Sequence, residues 1–187
     1  MDDTDLRGAC LIAMPGMEDV RFAQSVIYIC AHADDGAMGL IVNKPAPDIR
    51  FADLLGQLGI DRGPDMPDIR VQIGGPVERS RGFVLHSSDY VAGAGTLDVD
   101  GETALTATLD VLTELAAGRG PSQSVMALGY AGWGPGQLEE EIAAGGWLTC
   151  PADPDLLYGR AHEFKWALAL RSIGVDPAIL SGVQGRA

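Results

Sequence analysis

Apolar positions along the chain fall in short blocks separated by glycine, proline and acidic residues. The blocks differ in period. Gly8-Ala9-Cys10-Leu11-Ile12-Ala13 is continuous and reads as a buried strand, broken by Met14-Pro15-Gly16-Met17. Ser25 to Ala33 is the clearest strand, with Val26-Ile27-Tyr28-Ile29-Cys30 both β-branched and aromatic. Asp34-Asp35-Gly36 is a turn signal, and Ala37 to Val42 returns as the second arm of a hairpin that ends at Asn43-Lys44-Pro45. Phe51, Leu54, Leu55 and Leu58 repeat at helical spacing, closed by Gly59. Short strands are expected at 70–73 and 82–86. A hairpin is expected over Thr96–Val99 and Thr103–Thr106 around Asp100-Gly101, where glycine accepts positive φ.

The second half is more helical. Leu109 to Ala117 is amphipathic and ends at Gly118. Ser124 to Leu128 reads as a strand entering a glycine-rich corner, Gly129-Tyr130-Ala131-Gly132-Trp133-Gly134-Pro135-Gly136. A helix is expected from Gly136 to Ala144, a strand over Trp147–Cys150, a helical turn over Asp153–Leu157, a helix over Glu163–Ile173 and a last short one over Pro177–Leu180. Hairpins precede the first long helix, and helices do not alternate regularly with strands. The pattern predicts an α+β fold, a single domain over 1–187 with a mainly antiparallel or mixed β-sheet and helices packed against it. Residues 1–7 read as a flexible leader.

Composition narrows the function classes. Hydrophobic content of 47% is ample for a core. Thirteen Lys and Arg stand against 26 Asp and Glu, a net charge of −13. Such a surface repels phosphate backbones, and the basic residues are scattered along the chain, so direct nucleic-acid binding is disfavoured. Three cysteines, far apart and without a CxxC pair, fit a reducing cytosol. The acidic start lacks the basic end of a signal peptide, and no apolar run approaches the roughly 18–20 residues that cross a bilayer. The chain therefore reads as cytoplasmic, without a membrane segment.

Four constellations could carry chemistry. The glycine corner sits where a phosphate could meet a helix N-terminus, but Glu139, Glu140 and Glu141 already occupy that positive end. Its Gly129-Tyr130-Ala131-Gly132 spacing resembles a nucleophile elbow, yet Ala131 stands where the nucleophile would be. What remains is a tight aromatic-bearing turn that walls a cleft, with Glu141 the glutamate best placed to reach beneath Trp133. The second candidate is the thiol of Cys30 with His32: strand alternation puts Val26, Tyr28, Cys30 and His32 on one face, where an imidazolium would activate the thiol. Against it stands the usual state of a free cysteine, buried and inert. Third, His32, His86 and His162 are not at metal-ligand spacing, and no metal or other cofactor is expected. Last, adjacent glutamates point to different helix faces and read as a solvated acidic turn.

Taken together, Ala13-Met14-Pro15-Gly16-Met17, the Ser25–His32 strand, Gly36 to Pro45, Gly74-Gly75-Pro76-Val77, Arg81 to Ser87 and Gly129 to Glu139 resemble the bacterial YqgE/AlgH family, block after block and nearly end to end. The resemblance implies a single-domain α+β protein. It also implies, for one branch, a transcriptional-regulator label, which neither a basic recognition helix nor the charge of this chain supports. Gly145-Gly146 stands where that family usually has a polar residue before Trp147, so a different turn is expected there. The functional expectation is a regulatory module that binds a small molecule or a protein. Its cleft is expected between the glycine corner, the Cys30 strand and the Asn43-Lys44-Pro45 turn. Asn43, Lys44, His86, Tyr130, Trp133, Gln137 and Glu141 are the candidate ligand-binding residues. A Cys30-based redox sensor or enzyme, and a regulator acting on DNA directly or through a partner, are the alternatives.

Overall fold

The computed structural model describes residues 5–181. Among the described residues, nine strands form one curled sheet: β1 (Ala9–Ala13), β2 (Val26–Ala33), β3 (Gly36–Ile41), β4 (Val71–Ile73), β5 (Val77–Ser87), β6 (Thr96–Asp98), β7 (Thr103–Thr106), β8 (Ser124–Trp133) and β9 (Trp147–Pro151). Their order across the sheet is β6-β7-β5-β8-β3-β2-β1-β9, antiparallel throughout. β4 adds a short parallel pairing on β8. The same residues form six α-helices: α1 (Phe51–Gln57), α2 (Leu109–Ala116), α3 (Gln137–Ala143), α4 (Pro154–Tyr158), α5 (Lys165–Ser172) and α6 (Pro177–Ser181). The chain is an α+β domain, with helices packed on a mainly antiparallel sheet. Residues 1–4 of the expected leader lie outside the described residues, while the Leu6 amide donates to His32 Nδ1 at 3.1 Å and its side chain packs on the core.

Three apolar clusters explain why the sheet curls. The inner one gathers Cys10, Ile12, Val26, Tyr28, Phe83, Leu85, Val125 and Cys150 from the strands, and Leu156, Trp166 and Leu170 from α4 and α5. The Tyr28 hydroxyl reaches across to donate to Asp100 at 3.0 Å, tying the β6–β7 turn to β2. The outer face is covered at two separate places. α1 and α2 cover the β5–β8 half through Phe51, Leu55, Val111 and Leu115. α3 covers the β1–β2 half, where Leu11, Ile27, Ile29, Trp133, Leu138 and Trp147 meet.

Two departures from strict alternation set the site. In β2 the register with β3 slips by one residue between Ile29 and Ala31, a bulge that leaves Cys30 unpaired. Cys30 stays with the inner cluster, but His32 pairs opposite Ala37 on the outer side. The expected common face for Cys30 and His32 is therefore not formed. In β8 the strand does not stop at Leu128 but runs on through Trp133, so most of the glycine corner is strand. Val125 and Ala127 face inward, as does Tyr130, whereas Ala131 and Trp133 face outward. The change of parity falls at Gly129, whose φ of 73° is open to glycine. The pairing partner β5 shifts register at the same level and begins at Val77, earlier than the expected Gly82.

A buried cation closes the inner cluster. Lys165, 1% exposed, opens α5 and donates to the Val42 carbonyl at 2.8 Å. Burial lowers its pKa to about 8. Beside it in sequence, one 3-10 turn (His162–Phe164) replaces the first turn of the helix expected over 163–173.

Candidate functional site

The outward turn of Trp133 brings it to α3 and β9. The Trp133 and Trp147 indoles meet edge to face, with ring centroids 6.0 Å apart. Both rings are nearly buried, 7% and 2% exposed, so each N–H needs an acceptor. One carboxylate oxygen supplies both: Glu141 Oε2 accepts from Trp133 Nε1 at 3.0 Å and from Trp147 Nε1 at 2.8 Å. Glu141 Oε1 accepts from Gln137 Nε2 at 2.9 Å, and Gln137 Oε1 in turn accepts the Gly134 amide at 3.0 Å. Spacing explains the pair: residues 137 and 141 lie four apart, on one face of α3. Helix formation here thus fixes an aromatic wall rather than a free acid or base.

In front of that wall lies a cleft of about 600 Å³, closed on the far side by the loop Gly16–Phe22. Phe22 packs edge-on against Trp147 at 5.8 Å. Asp19 caps a short 3-10 turn and holds Arg21 in a two-pronged ion pair, Nη2 to Oδ2 at 2.6 Å and Nε to Oδ1 at 3.0 Å, which keeps the Asp19 carboxyl below the usual range. Glu18, exposed, also lines the cleft. The polar lining is thus dominated by acceptors, with Arg21 already engaged.

Asn43 and Lys44 do not line this cleft; they brace its loop from below. Asn43 accepts the Val26 amide at 2.9 Å and donates to the Gln24 carbonyl at 2.8 Å, and Lys44 Nζ donates to the Arg21 carbonyl at 2.8 Å. Partial burial lowers the Lys44 pKa. Tyr130 lies on the opposite face of β8, edge-on to Phe83 at 5.9 Å. His86 is fully buried elsewhere, between the Ser87 carbonyl (2.8 Å) and the Thr106 hydroxyl (2.7 Å), and burial lowers its pKa. Of the sequence candidates, the cleft brings together Trp133, Gln137 and Glu141. Arg21, Phe22 and Trp147 also shape it; the loop that carries the first two has no hydrophobic period to flag it.

Cys30 and His32 separate completely. Cys30 is buried in the inner cluster, and that burial pushes its thiol up to about 12. His32 Nδ1 accepts the Leu6 amide, so the ring proton lies on Nε2, which donates to Glu139 Oε1 at 2.6 Å. The Glu139 carboxyl is held below its usual range by its own backbone amide and by His32. Iodoacetamide at pH 8 is expected to leave Cys30 unmodified in the folded protein and to label it in urea, read by peptide mass spectrometry. Folded-state labelling at the rate of a free thiol would contradict the burial. Among the described residues, no group of three or more His, Cys, Asp and Glu is arranged to hold a metal ion, and no helix is long and apolar enough to cross a membrane.

Comparison with known proteins identifies the family and the fold. Residues 10–178 match the family model described as AlgH-like. The UPF0301 protein of Nitrobacter hamburgensis is 54% identical over 193 residues, covering 100% of this chain and 89% of the relative. That of Rhodospirillum rubrum is 54% identical over 182 residues, covering 97% and 94%. Among solved structures, the AlgH protein of Pseudomonas aeruginosa superposes with a TM-score of 0.79 at 43% identity, covering 100% of this chain and 97% of that one. Protein DIP2367 of Corynebacterium diphtheriae, at 23% identity and a TM-score of 0.72, shares the fold. By sequence over nearly its whole length, and by the fold that positions the Trp133–Trp147 wall, this chain belongs to the AlgH-like family.

Proposed function

We propose that this chain is a cytosolic regulatory module that binds a small molecule, with an amine or other donor-rich head group, in the cleft before Trp133 and Trp147. The observation that carries the reading is the lining itself. Its ionised side chains are Glu18, Asp19 and Glu141 against Arg21 alone, and Arg21 is satisfied by Asp19. Acceptors beside aromatic rings suit a cationic or donor-rich group, and its carbon body would lie on the apolar parts of the wall. No serine, cysteine, histidine or lysine lines the cleft among the described residues, which favours binding over nucleophilic catalysis. The net charge of −13 favours action through a bound ligand or a protein partner over direct contact with DNA.

A panel of small amines (tryptamine, agmatine, spermidine) and matched carboxylates, followed by thermal shift and tryptophan fluorescence, tests the reading. Saturable binding of an amine is expected, weakened about tenfold by Glu18→Gln, which removes a charge without touching the Trp–Glu141 clamp. Amines that give no shift with well-folded protein, or carboxylates that bind better, would overturn it.

A further inference from the structure

A second depression, which shares no lining residue with the cleft, runs between the start of α1 and the segment leading into β4. It has a volume of about 450 Å³. Three arginines line it: Arg50, Arg62 and Arg70. In a chain of net charge −13 this local excess needs an explanation. Arg7, Arg21, Arg81, Arg119 and Arg160 all have carboxylate partners. Arg50, Arg62 and Arg70, all exposed, have none among the described residues; Arg79 and Arg171 also have none, but it is these three that line one groove.

The single carboxylate in the lining, Asp68, is taken out of play. Arg160 donates from Nη1 to Asp68 Oδ2 at 2.8 Å and from Nη2 to the Asp68 carbonyl at 3.0 Å. Arg160 reaches in from an adjoining cavity of about 290 Å³ that shares residues 67–70 with the groove. The floor is firm and apolar. Phe51, Ile69 and Val71 are buried, and the two lips are joined by the Ala46 amide on the Val71 carbonyl at 2.9 Å.

We propose that this groove is an anion site for a small phosphorylated molecule carrying at least two negative charges. Guanidinium forks match phosphoryl oxygens in pairs, and an anion seated between three exposed arginines around one hollow would offset their mutual repulsion. The field of the whole chain repels anions, so the cluster serves contact at short range rather than steering from a distance. The ligand is small because exposed Asp48, Asp53, Asp61 and Asp65 follow or precede the arginines in sequence, and a long polyanion leaving the groove would meet them. The apolar floor gives an organic body somewhere to rest.

Inorganic pyrophosphate is the probe, titrated into the full chain by calorimetry. One saturable site is expected. Arg50→Gln, Arg62→Gln and Arg70→Gln should each weaken it about tenfold, while Arg171→Gln, an equal change of net charge away from the groove, leaves it unchanged. Arg160→Gln should weaken binding by freeing the Asp68 charge, and adding Asp68→Asn should restore it. A purely structural role for Arg160 would not give that rescue. The proposal is overturned by an absence of saturable binding to the wild type, by equal weakening in Arg171→Gln, or by citrate displacing pyrophosphate at equal concentration, which would make the site one for polycarboxylates.

Discussion

Gly129→Ala should destabilise the fold by about 2–5 kcal/mol, the sum of a left-handed backbone penalty of about 1–2 kcal/mol and an overpacking cost of about 1–3 kcal/mol. The backbone there has φ of 73°, and an added Cβ would lie 2.4 Å from the Gly75 carbonyl oxygen and 2.9 Å from that of Val77. Both obstacles are main-chain carbonyls, one in β5 at Val77 and one at Gly75 just before it, so neither can rotate away as a side chain could. The effect reaches beyond stability, because Gly129 is where β8 exchanges inward for outward. A chain that avoids the clash by restoring ordinary alternation would turn Ala131 and Trp133 into the inner cluster. Urea unfolding should show a lower midpoint, and near-ultraviolet circular dichroism should show loss of the coupled indole signal. A loss below about 1 kcal/mol would mean that the β5–β8 register can slide, contrary to the packing described.

Glu141→Ala should cost about 2–4 kcal/mol, since it strands two indole N–H donors whose charge-assisted bonds each contribute about 1.5–3 kcal/mol before partial access of water is allowed for. The acceptor is a single oxygen, at 3.0 Å from Trp133 Nε1 and 2.8 Å from Trp147 Nε1. Glu141→Gln should recover roughly half of the loss, because an amide oxygen still accepts but carries no charge. Equilibrium unfolding of the two variants measures the difference. Equal stability of Glu141→Ala and wild type would show that water satisfies both indoles and that the clamp contributes nothing.

The elements of this fold were largely legible because each apolar block ends at a glycine, proline or acidic turn: β1 at Met14-Pro15-Gly16, β2 at Asp34-Asp35-Gly36, α2 at Gly118. The faces of those elements were not. Period-2 reasoning assigns His32 to the side of Cys30, and one unpaired residue reverses it. The bulge is a property of two strands together, and neither strand alone encodes where the extra residue falls. Gly129 poses the same difficulty: among so many glycines, nothing local marks the one that switches parity. Glu141 and Trp133 could be linked through helix geometry and a short separation. Trp147 could not, because its approach depends on β9 pairing with β1, a contact between the two ends of the chain. Asn43 and Lys44 stand out as a polar turn, but their work is to hold the loop at 19–25, which only the tertiary hydrogen bonds reveal.

Lys165 gives the core a chemical linkage to the solvent. An unfolded chain holds this ammonium proton up to an ordinary lysine pKa near 10.4, whereas the folded chain releases it from about 8 upward. Below that value both states are protonated, and the folded one carries the cost of a buried cation with one carbonyl partner. Between the two values the unfolded state binds the extra proton, so stability rises with pH at up to about 1.4 kcal/mol per unit from this group alone. Folding in mildly alkaline solution is thus a proton-releasing reaction, and the inner cluster is better suited to a neutral amine than to the charge it carries at pH 7.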